Sequence, residues 1–375
     1  MQIVFVSHYA LPHVGGIEVV VDRIARELTA RGHAVTHVTS ASLRAGELPL
    51  FEPPPYEVVR LPALNILERA GLQYPLFEPV SLVRTLRCVC RTADVIHAHG
   101  MLYAGSATAL LLARRSTEAV RVLTEHSGMV HYSRATLNLI EKVAIGTIGR
   151  ATLRSAEAVV VVGTRVEKEM REAASVPVVR IENGVDLERF RPADAEERRR
   201  LREELGWDAQ PRVLFVGRLV ERKGAPLAIA AAKLAGTFRL TIAGPGADAT
   251  DGSYDHLGAP DDETLAKIYR AADAFLLPSH GEGGFPLTAR EAMASGLPVI
   301  LRDDAAYRAT FDPAPAGVRF VEPEPRAIAD AITGVLALGE AARHEVAAYA
   351  REHFRWSHSV DEHLRLYERI RAQRE

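Results

Sequence analysis

Two cations and two carboxylates stand near the ends of apolar runs in the second half of this chain. Arg218 and Lys223 belong to Gly217-Arg218-Leu219-Val220-Glu221-Arg222-Lys223-Gly224, directly after Val213-Leu214-Phe215-Val216. Fixed cations at a strand end suit a phosphate-bearing ligand. They also lower the barrier to losing a diphosphate, because negative charge grows on it as its bond to carbon breaks. Glu282 and Glu291 belong to the string running from Leu277-Pro278-Ser279-His280 through Gly281-Glu282-Gly283-Gly284-Phe285-Pro286-Leu287-Thr288 to Gly296-Leu297-Pro298. It reads as strand, glycine loop, short helix, stop and strand. The loop N–H groups and the helix start can hold phosphate and sugar oxygens. Glu291, early in that helix, can accept from two vicinal hydroxyls, as on a ribose, without any metal. Glu282 is placed to contact a sugar. Gly244-Pro245-Gly246 forms another glycine loop after an apolar run, and Leu257-Gly258 precede Asp261-Asp262-Glu263, an acidic start that helix-dipole compensation explains.

The first half offers imidazoles and glycines. Ser7-His8-Tyr9 follows the first apolar run, and Gly15-Gly16 then opens a helix whose unpaired N–H groups suit an anion. The spacing is not Gly-x-Gly-x-x-Gly, so a dinucleotide fingerprint is absent. His97 and His99 follow Asp94-Val95-Ile96, and His126 follows Val122-Leu123-Thr124-Glu125. His97-x-His99 invites a metal reading, but no third ligand is evident, and the two imidazoles are expected on opposite faces of the strand. His126 is placed either to hydrogen-bond a polar ligand or to satisfy a loop carbonyl. Cys88 and Cys90 are too close in a helical segment for an unstrained disulfide, and read as small buried or half-buried side chains.

Elements that hold these residues alternate along the chain. Strands are expected at 3–7, 34–39, 57–61, 94–97, 120–124, 158–162 and 178–181, most of them near-continuous apolar runs of the kind covered on both faces. Between the first two, Val20, Val21, Ile24, Ala25 and Leu28 fall at helical spacing, and Arg31-Gly32 supplies a stop. Residues 191–210 read as a linker with a solvated helix. Strands resume at 213–216, 240–243, 274–277, 299–301 and 318–321; 326–350 is helical, and 357–372 is a last amphipathic helix. The fold class is therefore α/β: two Rossmann-like doubly wound parallel-sheet domains, 1–186 with the returning helix 357–375, and 187–356. Ligands in such sheets bind beyond the carboxyl ends of the strands.

At 375 residues the chain suits two domains. A formal net charge of −2 gives no basic excess for nucleic acid. No apolar run reaches the roughly 20 residues of a membrane span, and a cytoplasmic protein is expected. Residues 62–92 carry Leu64, Ile66, Leu67, Leu72, Tyr74, Leu76, Phe77, Leu82 and Val83 with Arg84, Arg87 and Arg91. That surface is read as an ordinary core-facing helix with a charged outer face, or as one resting on an anionic membrane. A nicotinamide-dependent oxidoreductase is disfavoured, since it needs the glycine fingerprint and a ribose acid after the second strand.

Over nearly its whole length the chain resembles the retaining glycosyltransferases of family 4, of the GT-B fold. The resemblance is carried by Gly15-Gly16, Thr124-Glu125-His126, Glu182-Asn183-Gly184-Val185-Asp186, Gly217-Arg218-Leu219…Lys223-Gly224, Glu291-Ala292-Met293-Ala294-Ser295-Gly296-Leu297-Pro298-Val299 and Phe354-Arg355-Trp356-Ser357. It implies two domains facing across a cleft, the last helix crossing back onto the first, and a nucleoside-diphosphate sugar donor, UDP- or GDP-linked. It implies metal-independent transfer to a sugar or lipid-linked acceptor, in glycan, glycolipid or polysaccharide synthesis. The implied catalytic set is His126, Glu282, Arg218 and Lys223. The implied donor-binding set is Gly15, Gly16, Gly217, Arg218, Lys223, Gly244, Leu257, Gly284, Phe285, Pro286, Leu287 and Glu291. The family pattern places its two glutamates eight apart, whereas Glu282 and Glu291 are nine apart. Either a glycine of Gly283-Gly284 loops out and Glu282 keeps its role, or the first carboxylate is displaced and the chain is a catalytically impaired, nucleotide-sugar-binding relative.

Overall fold

The computed structural model describes residues 1–13, 15–41, 53–66, 74–129, 135–246 and 252–374. Leu67 and Leu72 lie outside the described residues. The chain divides into two compact units, Met1–Asn183 with Trp356–Glu375, and Gly184–Arg355.

In the first unit β1 (Gln2–Val6) leads through α1 (Gly16–Ala30) to β2 (Ala34–Ser40) and β3 (Glu57–Leu61). A small antiparallel pair follows, β4 (Ala63–Leu64) with β5 (Leu76–Phe77), and then α2 (Pro79–Val89). β6 (Val95–His99), α3 (Ala104–Ser116) and β7 (Val120–Glu125) come next, then α4 (Ala135–Ala144), a π-helical turn (Ile145–Gly149), α5 (Arg150–Ser155), β8 (Ala158–Val161), α6 (Thr164–Ala173) and β9 (Val178–Arg180). The sheet is parallel, in the order β3-β2-β1-β6-β7-β8-β9. Helices cover both of its faces, so β8 is buried at all four residues. The order reverses at β1 and β6, which brings the ends of β2, β1, β6 and β7 side by side.

The second unit holds α7 (Ala195–Glu204), β10 (Arg212–Val216), a 3₁₀ turn (Glu221–Lys223), α8 (Ala225–Ala235), β11 (Arg239–Ala243), β12 (Tyr254–His256) and α9 (Asp262–Ala271). It continues with β13 (Ala274–Leu277), α10 (Leu287–Ala294), β14 (Val299–Arg302), α11 (Ala305–Arg308), β15 (Val318–Val321), α12 (Pro325–Leu336) and α13 (Gly339–His353). Its parallel sheet runs β12-β11-β10-β13-β14-β15 and reverses at β10 and β13. The core is built on Phe215, Ile242, Phe275, Leu276, Ile300 and Tyr269. The last helix, α14 (Trp356–Ala372), belongs to the first unit and packs on α1, burying Val360, Leu366 and Tyr367.

Three local readings change. The helical stretch at 326–350 is two helices, because Gly339 takes φ +66° and breaks it. β12 was not expected; its three residues Tyr-Asp-His lack an apolar run, and it lies at a sheet edge. Cys88 is exposed rather than buried; Cys90 is buried, both are free, and burial pushes the Cys90 thiol up to about 12.

Candidate active site

The second unit brings its loops together at the carboxyl ends of β10, β11, β12 and β13. After β10 the chain turns through Gly217 and the 3₁₀ turn to Gly224, at φ +80°. A Cβ on Gly224 would lie 2.6 Å from the Pro278 carbonyl oxygen, so this loop packs directly against the one after β13. Gly244, at φ +148°, has no room for a Cβ either: it would overlap the Gly217 carbonyl. The Leu219 N–H donates to Pro245 O at 3.0 Å, and Gly244 N to Gly258 O at 2.5 Å. Glycine is thus required for three backbones to run this close. Leu257 leaves 39% of its surface open beside them.

Charged groups are ordered on this platform. Lys223 Nζ donates to Glu282 Oε1 at 2.7 Å, and Arg222 Nη1 lies 3.6 Å from the same oxygen. The His280 N–H donates to Arg222 O at 3.0 Å, tying the glycine loop to the 3₁₀ turn. Glu282 therefore sits beside Lys223, despite the extra residue between it and Glu291. Gly281, at φ +67°, supplies the bend before Glu282. Arg218 is exposed at the end of β10.

Glu291 lies within α10, and its Oε2 accepts from the Tyr269 hydroxyl at 2.9 Å, which also lies 3.1 Å from Thr288 O. Tyr269 is completely buried; burial first, and the Glu291 carboxylate second, raise its phenol well above the ordinary range. The spacing of Tyr269, 22 residues before Glu291, gave no sign of this contact in the sequence. Phe285 was expected to touch a ligand, but its ring is 4% exposed. It packs on Phe311 at 5.2 Å and Phe354 at 5.8 Å, with the Arg290 guanidinium 4.3 Å above Phe354. Phe285 thus pins the loop to the core, and only its backbone is left for a ligand. Pro286 precedes Leu287, the first residue of α10, whose N-terminus carries no side-chain cap. Gly284 is partly exposed beside it.

The first unit gathers a cluster of imidazoles at the ends of β2, β1, β6 and β7. His97 and His99 do not diverge, contrary to expectation. Side chains alternate along a strand, so residues two apart share a face; the rings stack with centroids 4.6 Å apart. His97 Nδ1 meets Tyr367 Oη and its Nε2 meets Thr124 Oγ1, each at 2.6 Å. His99 Nδ1 lies 2.9 Å from His126 Nε2. Among the described residues no group of three or more His, Cys, Asp or Glu is placed to hold a metal ion. Burial lowers the pKa of His97 and His99 well below the ordinary range, and brings His126 to about 3. All three are neutral near pH 7. Glu125 is structural: its carboxylate accepts the N–H groups of Met101 and Ser127, at 2.9 and 3.1 Å.

Beside them, Gly15 precedes α1 in an extended conformation and Gly16 opens it, with open space where a Cβ would stand. A Cβ on Gly15 would overlap the Glu18 carboxylate. Glu18, 2% exposed, lies 3.6 Å from His8 Nε2 and 3.3 Å from His13 Nδ1. His8 stacks on Tyr103 at 3.9 Å, and His13 on Tyr9 at 4.0 Å. His13 and Glu18 escaped the sequence reading; an acid in the first turn of a helix reads as a dipole partner.

At the opposite end of this sheet a groove of about 750 Å³ is lined by Arg91, Arg114, Arg115, Arg371 and Arg374. These arginines stand at or just beyond the C-terminal ends of α2, α3 and α14, where cations offset the helix dipoles.

The model of Glycosyltransferase Family 4 matches residues 14–189, and that of Glycosyl transferases group 1 matches residues 197–353. The phosphatidyl-myo-inositol mannosyltransferase of Mycolicibacterium smegmatis is 27% identical over 99% of this chain and 94% of its own. The D-inositol 3-phosphate glycosyltransferase of Xylanimonas cellulosilytica is 29% identical over 94% of this chain and 91% of its own. In fold, the chain is similar to Anabaena HepE, solved in complex with UDP-glucose. The TM-score is 0.74 at 19% identity, over 97% of this chain and 99% of that one. With two α/β units of this kind and both family models spanning most of its length, the chain belongs to the family 4, group 1 glycosyltransferases, retaining enzymes of the GT-B fold that use a nucleotide-sugar donor.

Proposed function

We propose that the second unit holds the donor and the first the acceptor, and that the donor is a UDP- or GDP-linked sugar. The observation that carries this reading is the Lys223–Glu282 contact at the end of β10, with Glu291 held by Tyr269 on the helix that follows the same glycine loop. Lys223 and Arg218 neutralise the diphosphate, and the N–H groups around Gly284, Phe285 and Leu287 bind its oxygens. Glu291 takes the two ribose hydroxyls. Glu282 and His126 are the side chains assigned to the sugar, and Gly15 and Gly16 the backbone assigned to the phosphate and acceptor. Gly217, Gly244 and Leu257 line the donor. The sugar's C1–O bond to phosphate breaks as the acceptor oxygen bonds to C1 on the same face. The acceptor's proton passes to the leaving phosphate, so no dedicated nucleophile is required.

Both relatives bear inositol in the names of their acceptors. A phosphorylated or lipid-linked cyclitol or sugar is accordingly the acceptor class to test first, within glycolipid, glycan or polysaccharide synthesis. Arg84, Arg87 and Arg91 are exposed on and just after α2, Val80 in its first turn is 73% exposed, and Leu64 and Ile66 of the preceding segment are 62% and 61% exposed. This pairing supports peripheral contact with an anionic cytoplasmic leaflet. Among the described residues no helix is long and apolar enough to cross a membrane.

Incubating UDP- and GDP-sugars with wild type and Glu291→Ala, with and without inositol phosphates and phosphatidylinositol vesicles, tests the reading. It predicts transfer by wild type that Glu291→Ala greatly reduces. Nucleotide binding without turnover of any donor would leave the impaired-relative reading in its place.

A further inference from the structure

Neutral histidine carries one N–H, and the two nitrogens of a ring differ in what they can offer a ligand. His99 is completely buried. Its Nδ1 lies 2.9 Å from His126 Nε2, while its Nε2 is buried and meets no partner. Only two arrangements of the protons fit this contact. In one, His126 Nε2–H donates to His99 Nδ1, and His99 must then carry its own proton on Nε2, as a buried donor with no acceptor. In the other, His99 Nδ1–H donates to His126 Nε2, and His99 buries only an unused lone pair. A buried orphan N–H is the rarer and costlier defect, so the second arrangement prevails.

The surroundings hold the His99 ring in place for this bond. It stacks on His97, and the Phe5 ring centroid lies 5.6 Å away. The backbone of His99 is fixed too, as its carbonyl accepts from Ser106 Oγ at 2.7 Å. His126, by contrast, is only partly buried, and its Nδ1 is not among the buried nitrogens that lack a partner.

We infer that His99 is a positioning residue that locks His126 as the Nδ1–H tautomer, so that His126 offers its ligand a hydrogen-bond donor and cannot serve as a base. This deepens the proposed function and rests on its reading that His126 meets the donor sugar. His126 Nδ1–H then recognises an oxygen able to accept, such as a sugar hydroxyl, and takes no proton from the acceptor. That leaves deprotonation to the leaving phosphate.

The test is the ¹⁵N spectrum of the full chain labelled at histidine, with the His126 signals assigned by their loss in His126→Ala. The inference expects a proton on Nδ1 and a bare Nε2 for His126 in wild type at pH 7. It expects His99→Leu to shift His126 toward the Nε2–H tautomer and to lower kcat/KM roughly tenfold, the scale of one hydrogen bond. His99→Asn, whose amide nitrogen stands near the place of Nδ1, should restore both. A wild-type His126 protonated on Nε2, or a tautomer unmoved by His99→Leu, overturns the inference. If the tautomer is as expected but His126→Ala turns over normally, the inference is supported and only the donor-contact reading fails.

Discussion

Replacing Tyr269 by phenylalanine removes one oxygen from a fully buried site and leaves the ring that packs on Phe190 and Phe275. The lost bond runs from the phenol to Glu291 Oε2 at 2.9 Å. A hydrogen bond to a charged group contributes about 1.5–3 kcal/mol. Glu291 is partly exposed, so water replaces much of that, and a net loss of about 1 kcal/mol is expected. For a unit of this size that lowers Tm by about 2–4 °C. The larger effect falls on the donor. Without the phenol the Glu291 carboxylate must be ordered by the ribose itself, at about 0.5–1.5 kcal/mol for one side chain. Donor KM should therefore rise about twofold to tenfold while kcat changes little, because the ribose contact is the same in ground and transition states. Initial rates against donor concentration measure this, and 2′-deoxy and 3′-deoxy donors sharpen it. Wild type should discriminate against both analogues, Tyr269→Phe less so, and Glu291→Ala least. A Tyr269→Phe enzyme with a lowered Tm but unchanged KM and unchanged discrimination would refute the reasoning and leave Tyr269 a packing residue.

Lys223→Met removes a charge-assisted bond to phosphate worth about 1.5–3 kcal/mol, so kcat/KM should fall by about 10- to 100-fold; donor titration with intact turnover would contradict this. Gly244→Ala puts a methyl group onto the Gly217 carbonyl at a backbone φ of +148°, and should destabilise the second unit by about 2 kcal/mol or more, read as a lower urea midpoint. Acid should weaken the first unit. Burial lowers His8 and His363 to about 4, and His37 and His126 to about 3. A depressed histidine pKa means that the unfolded chain binds the proton more readily. The stabilisation is therefore complete above about pH 6.5 and is lost as pH falls toward 4, by up to about 1.4 kcal/mol per pH unit for each histidine. Melting between pH 7.5 and 4.5 measures it; a flat profile would contradict the burial.

Much of the fold was legible because parallel strands covered on both faces are continuous apolar runs. Val213–Val216 and Ala274–Leu277 announce themselves, and Gly32 and Gly296 mark helix ends at positive φ. Tyr254–His256 did not, because an edge strand of polar residues carries no such signal. The loops that carry Lys223, Glu282 and Glu291 were legible for the same reason: they follow strands that the apolar pattern already located, and folding sets Lys223 on Glu282. What the sequence hid is what only folding brings together. Tyr367 reaches His97 across 270 positions, and Tyr269 reaches Glu291 from a neighbouring helix. Phe285 looked like a ligand contact because it lies in the glycine loop, yet the Phe311, Phe354 and Tyr307 side chains enclose it. The mistaken divergence of His97 and His99 was an error of period rather than missing information.

A crystal structure with the nucleoside diphosphate product bound decides where the donor lies. Diphosphate oxygens are expected within hydrogen-bond reach of Arg218 and Lys223, and both ribose hydroxyls on the Glu291 carboxylate. A well-occupied nucleotide elsewhere, touching none of these three side chains, would contradict this.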